Sequence, residues 1–495
     1  MLSTAEIKRF IDDDITSEKK RFAAVGQRYY EAEHDILKCR LFYYNADGNL
    51  VEDKARSNIK ICHPFFTELS DQLSSYMLAF KDNPIRAKET AEGLQDHLDV
   101  YFDDEFWAEV QEQITGTYNK GFDYLYAYKN AENRLAFQYA DSMGVVEVRE
   151  KDTEDGCKYI IYWYIDRIDK GKKAIKRIQV WSETETLYCV QVNNGKIELD
   201  TSVADNPRPH VIYTDKKTGK RRGYPLGYIP FWRLDNNRKQ FSGLKPIKGL
   251  IDDYDLMQCG LSNNLTDFDT PLHVVSGFQG DNLDELQTNL KTKKIIGVDA
   301  EGDVQVRTVD IPYQARQAKA ADDEKNIYRF GMGLNTSGLK DTAATTNIAI
   351  KAAYSLLELK ANKLLMRLKK MLKDIVKVVL AEINTVNKTD YQLSDVYFEF
   401  QTSTMTNEQE NIQNAKTEAE TEQIRINTIL NVAASIGDEQ ALKAICEVME
   451  WDFDDLQSKI KQMQEEQSVL AARNALTSAA VEEDTEPTPQ PTVEE

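Results

Sequence analysis

Apolar positions along this chain change their spacing near residue 130, and the change predicts two kinds of element. Up to that point they recur mainly three and four residues apart, which predicts a helical lobe. From Leu135 to Leu199 the spacing approaches two, in short apolar runs separated by polar turns that include Asn194-Gly195, a strong β-hairpin signal. One helical stripe comprises Phe65, Phe66, Leu69, Leu73, Tyr76 and Met77. The sequence therefore predicts an antiparallel meander in or after a helical lobe.

A basic, turn-rich stretch, KKTGKRRG, extends from Lys216 to Gly223. Charge runs of this kind usually form solvated loops, so we predict a loop. Contact with phosphate is the alternative interpretation.

The middle of the chain has a helix, a short β segment and a second helix. The first helix is predicted over Leu244–Phe268, and the second over Tyr313–Phe330, with strands around a turn at Ala300 to Asp303 between them. The stripe of the first helix comprises Ile247, Leu250, Ile251, Tyr254, Met257, Leu261, Leu265 and Phe268. Two helices that bracket a small β element predict a protruding unit.

A single long helix is predicted from Ile348 to about Asn384, because its apolar seam repeats alternately four and three residues apart. The seam comprises Leu357, Ala361, Leu364, Leu368, Met371, Ile375 and Val378. Beside it lies a basic row, made of Lys363, Arg367, Lys370 and Lys377. This row either neutralises the acidic surface of a neighbouring subunit or contacts DNA phosphate. We favour the first hypothesis, because no aromatic residues are interleaved to stack on bases.

Beyond the long helix the pattern weakens towards the C-terminus. VYFEFQTSTM predicts a return strand, and Thr406 with Gln409 predicts a capping box that starts a helix. Two further helices are predicted, over about Asp438–Met449 and Phe453–Ala475. Residues 476–495 are acidic, rich in proline and without apolar anchors, so we predict a disordered tail.

Composition limits the possible classes of protein. The chain has 495 residues, of which 41% are hydrophobic, so two or more lobes are expected. Its net charge of −20 is unfavourable for gripping nucleic acid over the whole surface. Six scattered cysteines favour free structural thiols, and neither an apolar spanning run nor a signal-peptide pattern is present. We therefore expect a soluble protein made in the cytoplasm, without membrane association.

The familiar constellations of catalysis are absent from the sequence. There is no phosphate-binding glycine loop, zinc-binding HExxH, nucleophile elbow or CxxC pair. The histidines are separated in sequence and are expected to be structural or surface residues; they are His34, His63, His97, His210 and His273. Two acidic clusters, Asp252-Asp253-Asp255 and Asp103-Asp104-Glu105, have the residue types of a Mg²⁺ site, but a solvated acidic face is the favoured interpretation. We predict no enzyme, cofactor or metal.

Gly331 to Asn347 is a loop of small polar side chains with three glycines and one cation, Lys340. This composition suits a mobile segment that contacts a polyanion weakly and releases it, because neutral donors bind phosphate without a strong ionic grip. A plain flexible connector is the alternative.

Three strings resemble segments of the portal proteins of long-tailed phages. They are YYEAEHDILKCR from Tyr29 to Arg40, IPFWRLDNN from Ile229 to Asn237, and GLIDDYDLMQCGLSNNLTDF from Gly249 to Phe268. Ala32 stands where that family commonly has glycine, Leu234 replaces an aromatic residue, and the polar loop lacks an SSG-type string. The strings occur in the family's order, and the resemblance extends from about residue 25 to 470.

The resemblance implies an α+β, mainly α portal fold with a long tunnel-lining helix. The implied parts are a wing (1–240), first stem helix (241–269), clip (270–312), second stem helix (313–331), tunnel loop (332–347), long wing helix with return strand (348–404), crown (405–475) and disordered acidic tail (476–495). The loop residues implied to face DNA are Asn335, Thr336, Ser337, Lys340, Thr342, Thr345, Thr346 and Asn347.

The resemblance also implies a homo-oligomeric ring, a 12-mer, at one vertex of the virion capsid. Double-stranded DNA would pass through it during packaging and ejection, driven by the terminase large subunit. Further implied partners are a head-completion or adaptor protein and the major capsid and scaffolding proteins, with the ring as nucleator of the procapsid. Two other hypotheses are a different head-tail connector ring and a metal-dependent DNA-processing enzyme.

Overall fold

The computed structural model of the chain forms two compact units, residues 1–344 with 348–404, and residues 345–347 with 405–495. It describes residues 1–54, 56–130, 132–149, 157–169, 173–214, 221–268, 272–278, 297–307, 312–335, 347–400, 423–433 and 437–449, and residues 282, 284, 286, 416, 421, 453, 456–459 and 461–462. The mixture of helices and strands agrees with an α+β chain.

The helices predicted in the first 130 residues are present. They are α1 (Thr4–Ile15), α2 (Glu18–Tyr30), α3 (Phe65–Met77), α4 (Leu94–Tyr101) and α5 (Asp104–Lys120). Side chains of Ser3, Ser17 and Asp103 accept hydrogen bonds from the first turns of α1, α2 and α5, which supplies partners for otherwise unpaired backbone amides.

One helical expectation in this region is wrong, because Phe122–Lys129 is strand β4. It is the centre of a three-stranded antiparallel sheet in the order β14-β4-β5, with β5 at Leu135–Ala140 and β14 at Phe231–Asp235. Most of β4 is buried on both faces, so its sequence lacks the alternation that marks a half-exposed strand. The predicted meander is also corrected, since β5 belongs to this sheet.

The meander begins at β6 and is otherwise confirmed. Its strands are β6 (Val145–Val148), β7 (Tyr159–Asp169), β8 (Lys173–Trp181), β9 (Glu185–Val192) and β10 (Ile197–Leu199), with β11 (Arg208–Pro209) also paired to β9. The tight turn between β9 and β10 lies at the predicted Asn-Gly, and Asn193 adopts a left-handed φ of 53° there. Ile7 and Ile11 of α1 are buried in the core of this sheet.

Three further two-stranded sheets lie in the first unit, in addition to the pair described in the next paragraph. They are β1 (Phe42–Tyr44) with β2 (Leu50–Glu52), β3 (Ile85–Ala87) with β17 (Val396–Phe398), and β12 (Val211–Thr214) with β13 (Arg221–Tyr224). The loop prediction for KKTGKRRG is wrong for Arg221 to Gly223, which lie in β13. These residues are exposed, as the charge pattern indicates, but their backbone hydrogen-bonding groups pair with β12, so they form a strand and not a loop. Residues 216–220 are outside the described residues.

Two helices flank the β15/β16 pair, as predicted. These elements are α6 (Lys248–Phe268), β15 (Leu272–Phe278), β16 (Val298–Arg307) and α7 (Tyr313–Gly331). The turn predicted at Ala300 to Asp303 is wrong, because these residues lie inside β16: Asp303 pairs with Ser276, and residues 300–302 fall at a shift in the register. The register shifts between Ser276 and Phe278, where Gly277 has a left-handed φ of 70°, which marks a bulge-like irregularity in the pair.

The long helix is confirmed as α8 (Asn347–Asn387), whose 41 residues span about 61 Å. The predicted seam lies in the main core, with six of its side chains buried and Val378 half-buried. Helices α3 and α5 contribute to the same core.

The second unit contains α9 (Asp438–Met449), which agrees with the predicted helix. The predicted capping box at Thr406 and Gln409 and the acidic tail at 476–495 are outside the described residues. Within the described part of the chain, no helix is both long and apolar enough to cross a lipid bilayer. All six cysteines are free thiols.

Candidate functional site

The small-residue loop between α7 and α8 is anchored at its first end. Gln72 of α3 makes two hydrogen bonds to Leu334: its Oε1 accepts from the Leu334 amide and its Nε2 donates to the Leu334 carbonyl, both at 2.9 Å. A Cβ atom on Gly333 would lie 2.0 Å from Cδ2 of Leu69, which is fully buried. The root of the loop therefore lies directly against α3, and a larger residue at 333 does not fit without displacing it.

The structure describes only part of the predicted DNA-facing set. The Nδ2 of Asn335 lies 3.5 Å from the Glu324 carboxylate, next to the anchored root, and Asn347 begins α8. The other predicted loop residues, Thr336, Ser337, Lys340, Thr342, Thr345 and Thr346, are outside the described residues.

Lys360 of α8 connects the root to the core. Its Nζ donates to the Gly331 carbonyl at 3.0 Å and to the Leu69 carbonyl at 3.4 Å, and lies 4.1 Å from the centroid of the Tyr118 ring. Burial lowers the pKa of Lys360 to about 7, whereas the carbonyls and the aromatic face stabilise the ammonium form. Sequence spacing gave no signal for this lysine, since it lies outside the predicted basic row.

Replacing Gln72 with Leu is expected to release the loop root while the chain remains folded. The side chain keeps similar volume but leaves the Leu334 amide and carbonyl without partners, which costs about 1–3 kcal/mol locally. Amide hydrogen exchange at Leu334 should accelerate by about 5- to 100-fold. The matched variant Gln111→Leu, at an exposed position of α5, should leave this exchange rate unchanged. Equal exchange rates in all three proteins would contradict the anchoring role.

The predicted basic row is exposed along α8. Lys363, Arg367, Lys370 and Lys377 are all exposed, and they lie beside the buried seam, because each directly precedes a seam residue in sequence. Lys377 pairs with Asp374 at 2.8 Å. Arg367 and Lys370 also line a cleft of about 360 Å³ against β14.

The predicted solvated acidic face on α6 is wrong for Asp255, which is fully buried. His34 Nδ1 lies 2.6 Å from Asp255 Oδ2, and His63 Nδ1 lies 2.8 Å from Asp255 Oδ1. Burial opposes the charge, but the hydrogen bonds of the two histidines hold the pKa of Asp255 below its usual value. The fold therefore unites two histidines that are isolated in sequence.

The other two carboxylates of this cluster are also engaged. Asp252 accepts from Lys248 at 2.7 Å and from the Tyr29 hydroxyl. Asp253 accepts from Lys319 of α7 at 2.6 Å. The described residues contain no group of three or more His, Cys, Asp and Glu side chains placed to hold a metal ion. The cluster therefore fastens α6 to its neighbours.

An extended segment, residues 57–63, is bound along the same helix. Backbone amides of Ser57, Ile59, Ile61 and His63 donate to side chains spaced four apart on α6: Asp267 (3.1 Å), Asn263 (2.6 Å), Cys259 (3.1 Å) and Asp255 (2.9 Å). Two extended residues advance about 6.6 Å and four helical residues about 6 Å, so the two repeats match. This ladder fixes the segment against about three turns of α6.

The chain is similar to known proteins over most of its length. A family model described as phage portal protein, SPP1 Gp6-like, matches residues 9–469. The chain belongs to this family. It is 25% identical over 338 residues to the portal protein of Bacillus phage SPP1, covering 68% of this chain and 65% of that protein. It is 24% identical over 389 residues to the portal protein of Clostridium phage phiCD119, covering 74% of this chain and 80% of that protein.

Two of the portal-like strings contact each other in this member of the family. Tyr29 and His34 lie in the first string, and Asp252 and Asp255 lie in the third. The Tyr29 and His34 rings stack with centroids 4.5 Å apart, and each residue hydrogen-bonds one of the two aspartates. The residues that carry the resemblance thus build one contact between the N-terminal region and α6.

Proposed function

We propose that copies of this chain form the portal ring of a phage capsid, with the DNA duplex passing through its centre. Membership of the portal family over residues 9–469 is the observation that carries this proposal. The order of elements supports it, since a helix, a β pair, a helix, a small-residue loop and a 41-residue helix follow one another as the family's stem, clip, stem, tunnel loop and wing helix.

The remaining parts follow the same assignment. Residues 1–240 form the wing, the β15/β16 region forms the clip, and residues 405–475 form the crown. The clip receives the terminase large subunit during packaging and head-completion proteins afterwards, while the outer surface meets capsid and scaffolding proteins. The energy for translocation comes from the terminase, because the sequence contains no nucleotide-binding loop.

Charge supports a channel that does not retain DNA by ionic contacts. Twelve copies of net charge −20 carry about −240. Such a ring repels phosphates that occur every ~1.7 Å along the duplex, which favours sliding over binding. Weak contacts from the loop, such as that of Lys340, then act as local brakes on the sliding duplex.

Negative-stain electron microscopy of the purified chain tests the assembly. We expect closed rings with about twelve lobes and a central hole of about 20 to 40 Å, wide enough for a duplex. A population of monomers or irregular filaments at high concentration would contradict the portal function. Divalent-metal-dependent cleavage of DNA by the pure chain would instead favour the DNA-processing alternative, although the α6 carboxylates are occupied by Lys248, Lys319 and the histidines.

Lys340→Ala tests the tunnel loop. Rings should assemble normally, and retention of packaged DNA should fall by about twofold or more, because one weak cation contact of at most about 1 kcal/mol is lost in each subunit. The measurement is the fraction of particles that hold a full genome. Lys81→Ala, an exposed lysine far from the loop in sequence, is the control. Unchanged packaging and retention in Lys340→Ala would exclude the loop from DNA contact.

A further inference from the structure

Among the residues that the structure describes, the outer face of α8 carries cations that have no carboxylate partner. Lys363, Arg367, Lys370 and Lys373 are exposed and, within the described part of the chain, none has a carboxylate oxygen within 4.0 Å. Met366 on the same face is 70% exposed. A long helix whose outer face combines unpaired cations with an exposed apolar side chain is suited to cover by another protein surface.

An acidic surface with the complementary pattern lies around α4 and the start of α5. Its seven carboxylates are exposed, and none pairs with a described lysine or arginine; they are Glu89, Glu92, Asp96, Asp99, Asp103, Asp104 and Glu105. Val100 within this surface is 47% exposed. We name it the α4 acidic surface.

The two surfaces belong to the same compact unit, yet no ion pair joins them within one chain. Charged side chains recur about once per helical turn on each surface. Arg367 and Lys370 are three residues apart on α8, and Asp96 and Asp99 are three residues apart on α4. The two surfaces therefore have complementary charge, and each also carries an exposed apolar side chain.

We propose that the basic outer face of α8 in one copy docks on the α4 acidic surface of the next copy. A closed ring needs head-to-tail contacts between two different surfaces of the same chain, and these two satisfy that requirement. Opposite potentials steer the encounter and exclude wrong pairings. The contact rests on the proposed ring, and it assigns the basic row to a subunit interface.

A duplex is the competing occupant of the basic face. The described α8 face has no aromatic side chain for base stacking, and a phosphate backbone would leave Met366 uncovered. DNA also offers nothing to the α4 acidic surface, which would repel it. A second copy accounts for both surfaces at once.

A charge-swap experiment tests this contact. The basic-face variant is Lys363→Glu with Lys370→Glu, and the acidic-surface variant is Glu92→Lys with Asp96→Lys. Each alone is expected to lower the fraction of chain in rings at least tenfold, measured by mass photometry at about 0.1 M salt, where the screening length is about 10 Å. All four substitutions together restore opposite charges and should restore rings.

Controls separate the possible outcomes. Lys8→Glu with Lys196→Glu reverses two exposed charges, on α1 and at the turn between β9 and β10, and should assemble as wild type. Circular dichroism and thermal melts should be unchanged, because the substituted side chains are exposed.

If wild type forms rings and both charge variants do so equally, or if the fourfold variant remains monomeric, the proposed interface is contradicted while the proposed ring is not. If wild type forms no rings, the proposed function itself fails. Normal rings with weakened DNA binding in the basic-face variant would assign that face to phosphate.

Discussion

Asp255→Asn is expected to lower the free energy of unfolding by about 3 kcal/mol at pH 7, as measured by urea denaturation. The buried carboxylate accepts from the rings of His34 and His63 and from the His63 amide at 2.9 Å. Removing one partner from a buried charged network costs about 3–5 kcal/mol, because the groups left behind have no water. The amide of Asn preserves volume and at most part of these contacts. The extended segment of residues 57–63 should separate from α6 first.

The same variant should change the acid dependence of stability. Hydrogen bonds from His34 and His63 hold the pKa of Asp255 below its ordinary value despite burial. A depressed carboxyl pKa contributes stability that is complete above the unfolded value, near 4, and is lost as pH falls through the lower folded value. The slope of unfolding free energy below about pH 4 should therefore be shallower in Asp255→Asn than in wild type.

Asp253→Asn is the matched control on the same helix. Its carboxylate pairs with Lys319, and both side chains are partly exposed, so the change should cost less than about 1 kcal/mol. Equal losses of unfolding free energy in the two variants would show that the histidine contacts of Asp255 stabilise the chain no more than the exposed pair of Asp253 does.

Helices were the most predictable part of this fold, for a local reason. The seam of α8 repeats within the helix itself, so neighbouring residues in sequence report which face is buried. The bounds of α7 followed in the same way, whereas α6 ends at the predicted Phe268 but begins four residues after the predicted Leu244. Strand β4 was missed because both of its faces are buried, with Leu125 in the main core and Tyr124 in a second cluster with residues of the meander. In addition, its partner strand Phe231–Asp235 is about a hundred residues away.

The anchors of the candidate site were beyond sequence reasoning because they join distant segments. His34 and Asp255 are 221 residues apart, and Gln72 and Leu334 are 262 apart. No rule of sequence spacing predicts either contact. The one available signal was that Tyr29, His34 and Asp255 all lie inside the strings that resemble portal proteins, which marks these positions without showing that they meet.

Gly26→Ala is expected to destabilise the chain by about 3 kcal/mol, through the packing of α2 on α5. A Cβ atom at Gly26 would lie 1.9 Å from the backbone carbonyl oxygen of Asn119 and 2.8 Å from Ser242 Oγ. A backbone atom in a buried helix end cannot move aside as a side chain does, so the two helices must separate. Overpacking of this kind costs about 1–3 kcal/mol, and the separation also opens the core around it.

Gly249→Ala tests whether this loss comes from the close helix contact. Gly249 lies near the start of α6, and its Cβ would meet nothing within 4 Å. Alanine is there favoured over glycine by up to about 1 kcal/mol, so the variant should be as stable as wild type or slightly more stable. Both variants add one methyl group to a helical glycine, so helix propensity alone predicts the same small gain in stability for each.

A stable Gly26→Ala protein would mean that α2 does not cross α5 at this distance. A loss at 26 with no loss at 249 assigns the effect to the carbonyl of Asn119, and thereby to the helix crossing on which the N-terminal lobe depends.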